Sequence, residues 1–131
     1  MTETSVDFGL LTKVLFGIRS FRAGQLIFQK GDVGFELFVI RQGEVELRVD
    51  GRVLRTLTTG NIFGEMALVD DSTRSATAIA VSDVQVVPVS EKQFVELIRE
   101  SPSFALDVMR ILAQRLRDET RRHHLSMDRN H

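Results

Sequence analysis

The chain has 131 residues, 43% of them hydrophobic, which fits one compact domain that hides roughly two-thirds of the surface its unfolded chain exposes and leaves no room for a second. Its 17 basic and 18 acidic residues balance to a formal charge of -1, so no overall field draws it to nucleic acid or acidic lipid, and any charge-based function must be local. The absence of cysteine excludes disulfides, thiolate metal sites and cysteine nucleophiles.

Met1 to Asp7 lacks a basic start followed by an apolar run, so it does not read as a signal peptide, and no stretch is apolar for long enough to span a membrane. A cytoplasmic location is the expectation. Leu11, Val14, Leu15 and Ile18 repeat at helical spacing and predict an amphipathic helix over residues 5–19. From Phe21 the texture changes to short apolar runs, Leu26 to Phe28, Leu37 to Ile40 and Val53 to Leu57, cut by Gly24, Gly31, Gly34, Gly43, Gly51 and Gly60. That punctuation predicts an all-β sandwich or barrel over residues 21–89. Its clearest piece is Val45 to Val49, then Asp50-Gly51, then Arg52 to Leu57, the pattern of a hairpin with a primed turn. Asp83 marks a turn, and Pro88 places its segment at a sheet edge or strand end.

Ser90 with Gln93 forms a capping-box pattern that opens a helix over residues 90–100, and Ser101-Pro102 opens another over residues 102–123. Phe104, Val108, Ile111, Leu112 and Leu116 lie along one side of that last helix. The expected fold is therefore mainly β with flanking helices, a single domain over residues 1–131.

Gly60 to Leu68 breaks the strand pattern and reads as a loop entering one short helical turn, whose outward amides suit a phosphate oxygen. Across the polar loop that follows stands Arg74, whose guanidinium can grip a phosphate through two parallel hydrogen bonds. Ser75 can add a hydroxyl donor, and Glu65 is an acceptor suited to a ribose hydroxyl. The alternative is a surface turn in which Glu65 and Arg74 merely pair with each other, an arrangement worth little in water. The apolar neighbours Phe63, Met66, Leu68, Ala76 and Ala78 imply partial burial, where unpaired charges are costly.

Taken with Ala23 to Phe28, Gly31-Asp32, Leu37 to Ile40, Gly43-Glu44-Val45 and Gly60, the cassettes Phe63 to Leu68 and Arg74 to Thr77 make the chain resemble a cyclic nucleotide-binding domain, as found in bacterial catabolite activators, cyclic nucleotide-dependent kinases and gated channels. The resemblance implies a jelly-roll-like β-barrel with an N-terminal helix and two C-terminal helices. It implies cAMP, or else cGMP, as ligand, with Arg74 on the cyclic phosphate, Glu65 on the ribose 2′-hydroxyl, and Gly64, Met66, Ala67 and Ser75 lining phosphate and sugar. By the same resemblance the last helix is a lid whose base-contacting position falls near Thr120, and in the bacterial activators it also forms a dimer seam, here along Val108, Leu112 and Leu116. Where the family carries an aspartate after Gly34, this chain has Phe35.

The bacterial activators continue into a DNA-binding module, whereas this sequence stops at His131, so the expectation is a stand-alone sensor that signals by moving its lid helix, to a homodimer partner or a separate effector. A rival reading keeps the fold and loses the ligand, leaving a dimerisation or partner-regulating module. Enzymatic activity, cofactors and a metal site are not expected, because His123, His124 and His131 all lie in the tail. Direct DNA binding is not expected either: the late run of Arg115, Arg117, Arg121, Arg122 and Arg129 reads as a solvated helix face balanced by Asp118 and Glu119.

Overall fold

The computed structural model describes residues 17–69 and 73–129, with side chains described as far as residue 121. Eight strands come first: β1 (Arg19–Phe21), β2 (Leu26–Phe28), β3 (Glu36–Gln42), β4 (Val45–Val49), β5 (Arg52–Leu57), β6 (Ile62–Phe63), β7 (Thr77–Ala80) and β8 (Val84–Ser90). A single helical turn, α1 (Met66–Val69), interrupts them between β6 and β7, and two helices follow, α2 (Glu91–Glu100) and α3 (Pro102–Arg129). The strands form two four-stranded antiparallel sheets, ordered β1-β8-β3-β6 and β2-β7-β4-β5. The β region is thus jelly-roll-like and built as two facing sheets, not as one closed barrel.

Local chemistry sets the boundaries. Asp50 and Gly51 both take positive φ, 52° and 78°, so the Asp-Gly pair supplies the left-handed corner that joins β4 to β5. Ser90 caps α2 as a complete capping box, its hydroxyl accepting from the Gln93 amide while the Gln93 side chain accepts from the Ser90 amide. Pro102 opens α3. Pro88 sits within β8, which is an interior strand of its sheet. β1 reaches only from Val84 to Val86, however, so beyond that point β8 is locally an edge and tolerates a residue without an N–H.

Two strands are buried on both faces. Along β3, Leu37 and Val39 point to the helices, and Phe38 and Ile40 point to the opposite sheet; along β8, Val87 and Val89 divide from Val84 and Val86 in the same way. Leu97 of α2 and Phe104, Val108 and Ile111 of α3 complete the helical core. Burying each such side chain contributes about 1.5–3 kcal/mol relative to leaving it in water. The aromatic rings of Phe28, Phe38 and Phe63 meet between the sheets, with centroids 5.2–6.0 Å apart.

Several expectations change. The expected helix over residues 5–19 lies mostly outside the described residues, and at its far end Arg19 already belongs to β1. The last helix runs on to Arg129, beyond residue 123. Val108 is committed to the core, so it cannot form a seam on an outer face; among the described residues of α3 the large apolar side chains left exposed are Leu106, Met109 and Leu116. No helix among the described residues is long and apolar enough to cross a membrane.

Candidate functional site

Arg74 stands just before β7, where its backbone is clipped into the Gly31-Asp32 turn: its N–H donates to Asp32 O and its carbonyl accepts from Gly31 N, both at 2.8 Å. From there the side chain runs inward. Its guanidinium carbon lies 4.3 Å from the Phe28 ring centroid and 5.4 Å from that of Phe38, and Nη1 donates to the Gly64 carbonyl at 3.0 Å. Two glycines make the passage. A Cβ on Gly34 would fall on Nε and Cζ of Arg74, and one on Gly64 would lie 2.6 Å from Nη1. Only 6% of Arg74 is exposed; burial lowers its pKa, while Glu36, Asp32 and Glu65 act the other way. It remains a cation at neutral pH.

Glu65 lies between Gly64, whose φ of 76° turns the chain, and α1. The Glu65 carbonyl accepts from Leu68 and Val69, which closes the single turn. Its carboxylate does not pair with Arg74. It accepts instead from Arg115 on α3, Nη1 to Oε1 at 2.9 Å, with both side chains nearly buried. Arg115 also donates to the Ile62 carbonyl, fastening the helix to β6 at a second point. On the other side Arg55 of β5 meets Asp118 of α3 at 3.5 Å.

These groups enclose a cavity of about 320 Å³, at the lower end of the range for small-molecule sites. One wall is the turn Gly64 to Ala67 with Arg74, Ser75 and Ala76; a second is Phe28, Leu47, Leu54 and Arg55 from the sheet; the third is α3, through Leu112, Arg115, Leu116 and Glu119. A fixed cation and a hydroxyl at one end, a carboxylate beside them and apolar surface beyond suit a small anionic ligand that also carries hydrogen-bond donors and an apolar part.

Six of the seven residues singled out from sequence, Gly64, Glu65, Met66, Ala67, Arg74 and Ser75, line this cavity. Thr120 does not: it is exposed, and its hydroxyl donates back to the Leu116 carbonyl at 2.9 Å. Its neighbour Glu119 faces the cavity instead, since one residue turns a helix by about 100°. Arg115, read as solvated, is 8% exposed. It continues the core stripe of Phe104, Val108 and Ile111 by one further turn, and a charge in that register signals a buried partner. Phe35 is 74% exposed, so the departure at that position falls on the surface. Among the described residues no group of histidine, cysteine or carboxylate side chains is placed to hold a metal ion.

The family model for the cyclic nucleotide-binding domain matches residues 18–101. The cyclic AMP receptor protein of Thermus thermophilus is 37% identical over 108 residues, covering 79% of this chain and 50% of that protein. The cGMP-dependent protein kinase egl-4 of Caenorhabditis elegans is 36% identical over 76 residues, 58% of this chain and 10% of the kinase. Among solved structures, the Thermus thermophilus catabolite activator protein superposes with a TM-score of 0.78 at 34% identity, covering 89% of this chain and 57% of that one. The chain therefore spans about half the length of the bacterial relative and a tenth of the kinase.

Proposed function

This chain belongs to the cyclic nucleotide-binding domain family, and on that footing we propose that it is a cytoplasmic sensor of a cyclic purine nucleotide that binds the ligand and releases it unchanged. The observation that carries the reading is the convergence of Arg74, Ser75 and Glu65 on one cavity whose third wall is the C-terminal helix. The cyclic phosphate accepts from the N–H groups of Arg74 and of the amides that open α1, and from the O–H of Ser75. The ribose 2′-hydroxyl donates to Glu65, and the base extends along α3.

Glu65 supplies the route from ligand to helix. A carboxylate has two oxygens and roughly four acceptor positions, so Oε2 can take the ribose while Oε1 keeps Arg115. Ligand and helix then share one charged group. A nucleotide that orients Glu65 favours the position of α3 in which Arg115 still reaches it, and the signal is a shift in the population of that position. For output we propose a second copy of the chain: Leu106, Met109, Ala113 and Leu116 follow the three-four spacing of a two-helix seam on the outer face of α3.

Calorimetric titration of the protein with cAMP, cGMP and linear 5′-AMP tests the reading, with chromatography of the nucleotide afterwards. Heat with a cyclic nucleotide, little with 5′-AMP and full recovery of the ligand are the expected results. Silence with both cyclic nucleotides would leave the ligand-free module, and a new nucleotide product would make the protein an enzyme.

A further inference from the structure

Two guanidinium groups meet over Phe38. Arg74 brings its Cζ to 5.4 Å from the ring centroid, and Arg19, at the start of β1, brings its own to 5.5 Å. Glu36 lies two residues before Phe38 on the same face of β3, and its Oε1 accepts from Arg19 Nη1 at 2.8 Å. From this arrangement we infer that Glu36 is an internal competitor for Arg74, and that Arg19 is the positioning residue that holds it away so that Arg74 can take a phosphate. The inference rests on the cyclic-nucleotide reading above.

Glu36 is close enough to compete. A Cβ placed on Gly64 would meet both Arg74 Nη1, at 2.6 Å, and the Glu36 carbonyl, at 3.5 Å, so the guanidinium and the Glu36 backbone are neighbours across that glycine. Burial lowers the pKa of Arg74, and of the carboxylates that act against it Glu36 contributes most, ahead of Asp32 and Glu65. Its carboxylate is nevertheless turned to Arg19, while the Arg74 guanidinium donates to the Gly64 carbonyl. The Arg19 side chain is 48% exposed, and an ion pair so open to water adds little to stability. Its effect on the site is larger. Released from Arg19, the carboxylate would find in Arg74 a nearly buried cation, where attraction is less screened, and would occupy donors that a phosphate needs.

The test is a double-mutant cycle in affinity: calorimetry of the whole chain, of Arg19→Ala, of Glu36→Gln and of the two combined, with whichever of cAMP and cGMP the parent binds more tightly. Arg19→Ala should weaken binding about tenfold, the effect of one charge-assisted hydrogen bond taken by a competitor. On the Glu36→Gln background the same change should weaken it by less than about twofold, because a neutral amide does not contend for a cation. Arg19→Lys should bind like the parent, since an ammonium still holds the carboxylate. The pair lies at the surface, so all the variants should melt close to the parent. Lost packing on Phe38, or the mere removal of a distant positive charge, would weaken both backgrounds alike. Equal losses in the two backgrounds, parent-like binding by Arg19→Ala, or an Arg19→Lys variant as weak as Arg19→Ala would therefore overturn the inference and leave the sensor reading intact. Failure of the parent to bind either nucleotide would instead remove the sensor reading and the inference together.

Discussion

Arg115 donates to Glu65 across 50 residues of chain, and this bond joins the C-terminal helix to the turn that would hold a ligand. Each side chain is almost buried, and each would be stranded in a poor environment without the other. Arg115 also holds the Ile62 carbonyl, so α3 is fastened to both the turn and the strand that precedes it.

Replacing Arg115 by methionine keeps most of the stem's volume and removes the charge. We expect a loss of about 1–3 kcal/mol, the cost of leaving a nearly buried carboxylate unsatisfied, read from a urea unfolding curve. Nucleotide should still bind, with Glu65 present, but amide exchange along α3 should no longer respond to it. If ligand protects α3 equally in parent and variant, Glu65 is not the route to the helix.

Arg74→Ala removes the cation from the phosphate end. Truncating one member of a desolvated charge pair should weaken binding by about 3 kcal/mol, somewhat more than a hundredfold, by calorimetry. Arg74→Lys should recover only part of this, because an ammonium lacks the planar fork that meets two phosphate oxygens and stacks on Phe28. A parent-like affinity in Arg74→Ala would show that phosphate sits elsewhere.

Gly34→Ala tests the passage through which Arg74 reaches the cavity. The Gly34 backbone is not left-handed, so alanine brings no conformational penalty there, yet its Cβ would occupy the place of the guanidinium. The flexible end of Arg74 should yield, leaving the face of Phe28. The expected outcome is a folded protein with affinity reduced at least about tenfold, since misplacing a bidentate donor forfeits most of its bond.

Charging the outer face of α3 tests the seam. Met109 is 57% and Leu106 44% exposed, so Leu106→Glu with Met109→Glu should leave the monomer's core untouched. Sedimentation should show a dimer for the parent and a monomer for the double variant, because facing carboxylates repel across an apolar seam. A parent that sediments as a monomer at all concentrations would direct the output to another protein.

The two kinds of core were legible in different degrees. Strand alternation, the Asp50-Gly51 corner and the Ser90 capping box are local signals, each contained in a few adjacent residues, and the structure places them where their chemistry predicts. Glu65 and Arg74 could be singled out because charges amid Phe63, Met66 and Ala76 are unusual enough to need a partner. Their actual partners were not legible. Arg115 is paired through the fold, and its sequence neighbours Arg117 and Arg121 do lie exposed, so a buried arginine was hidden beside solvated ones. Glu119 rather than Thr120 lines the cavity for a related reason: helix register is set by how α3 seats on β3 and β8, a tertiary fact.

That seating has a consequence for how the molecule comes apart. Among the described residues, Leu37, Val39, Val87 and Val89 cluster with side chains of α2 and α3, while Phe38, Ile40, Val84 and Val86 on the same two strands are covered by the other sheet. β3 and β8 are thus a party wall with a tenant on each side. Removing residues beyond Ser90 would open one face of that wall to water, so the strands should not survive as an autonomous fragment, and heating the described domain should melt helices and sheets in a single cooperative step.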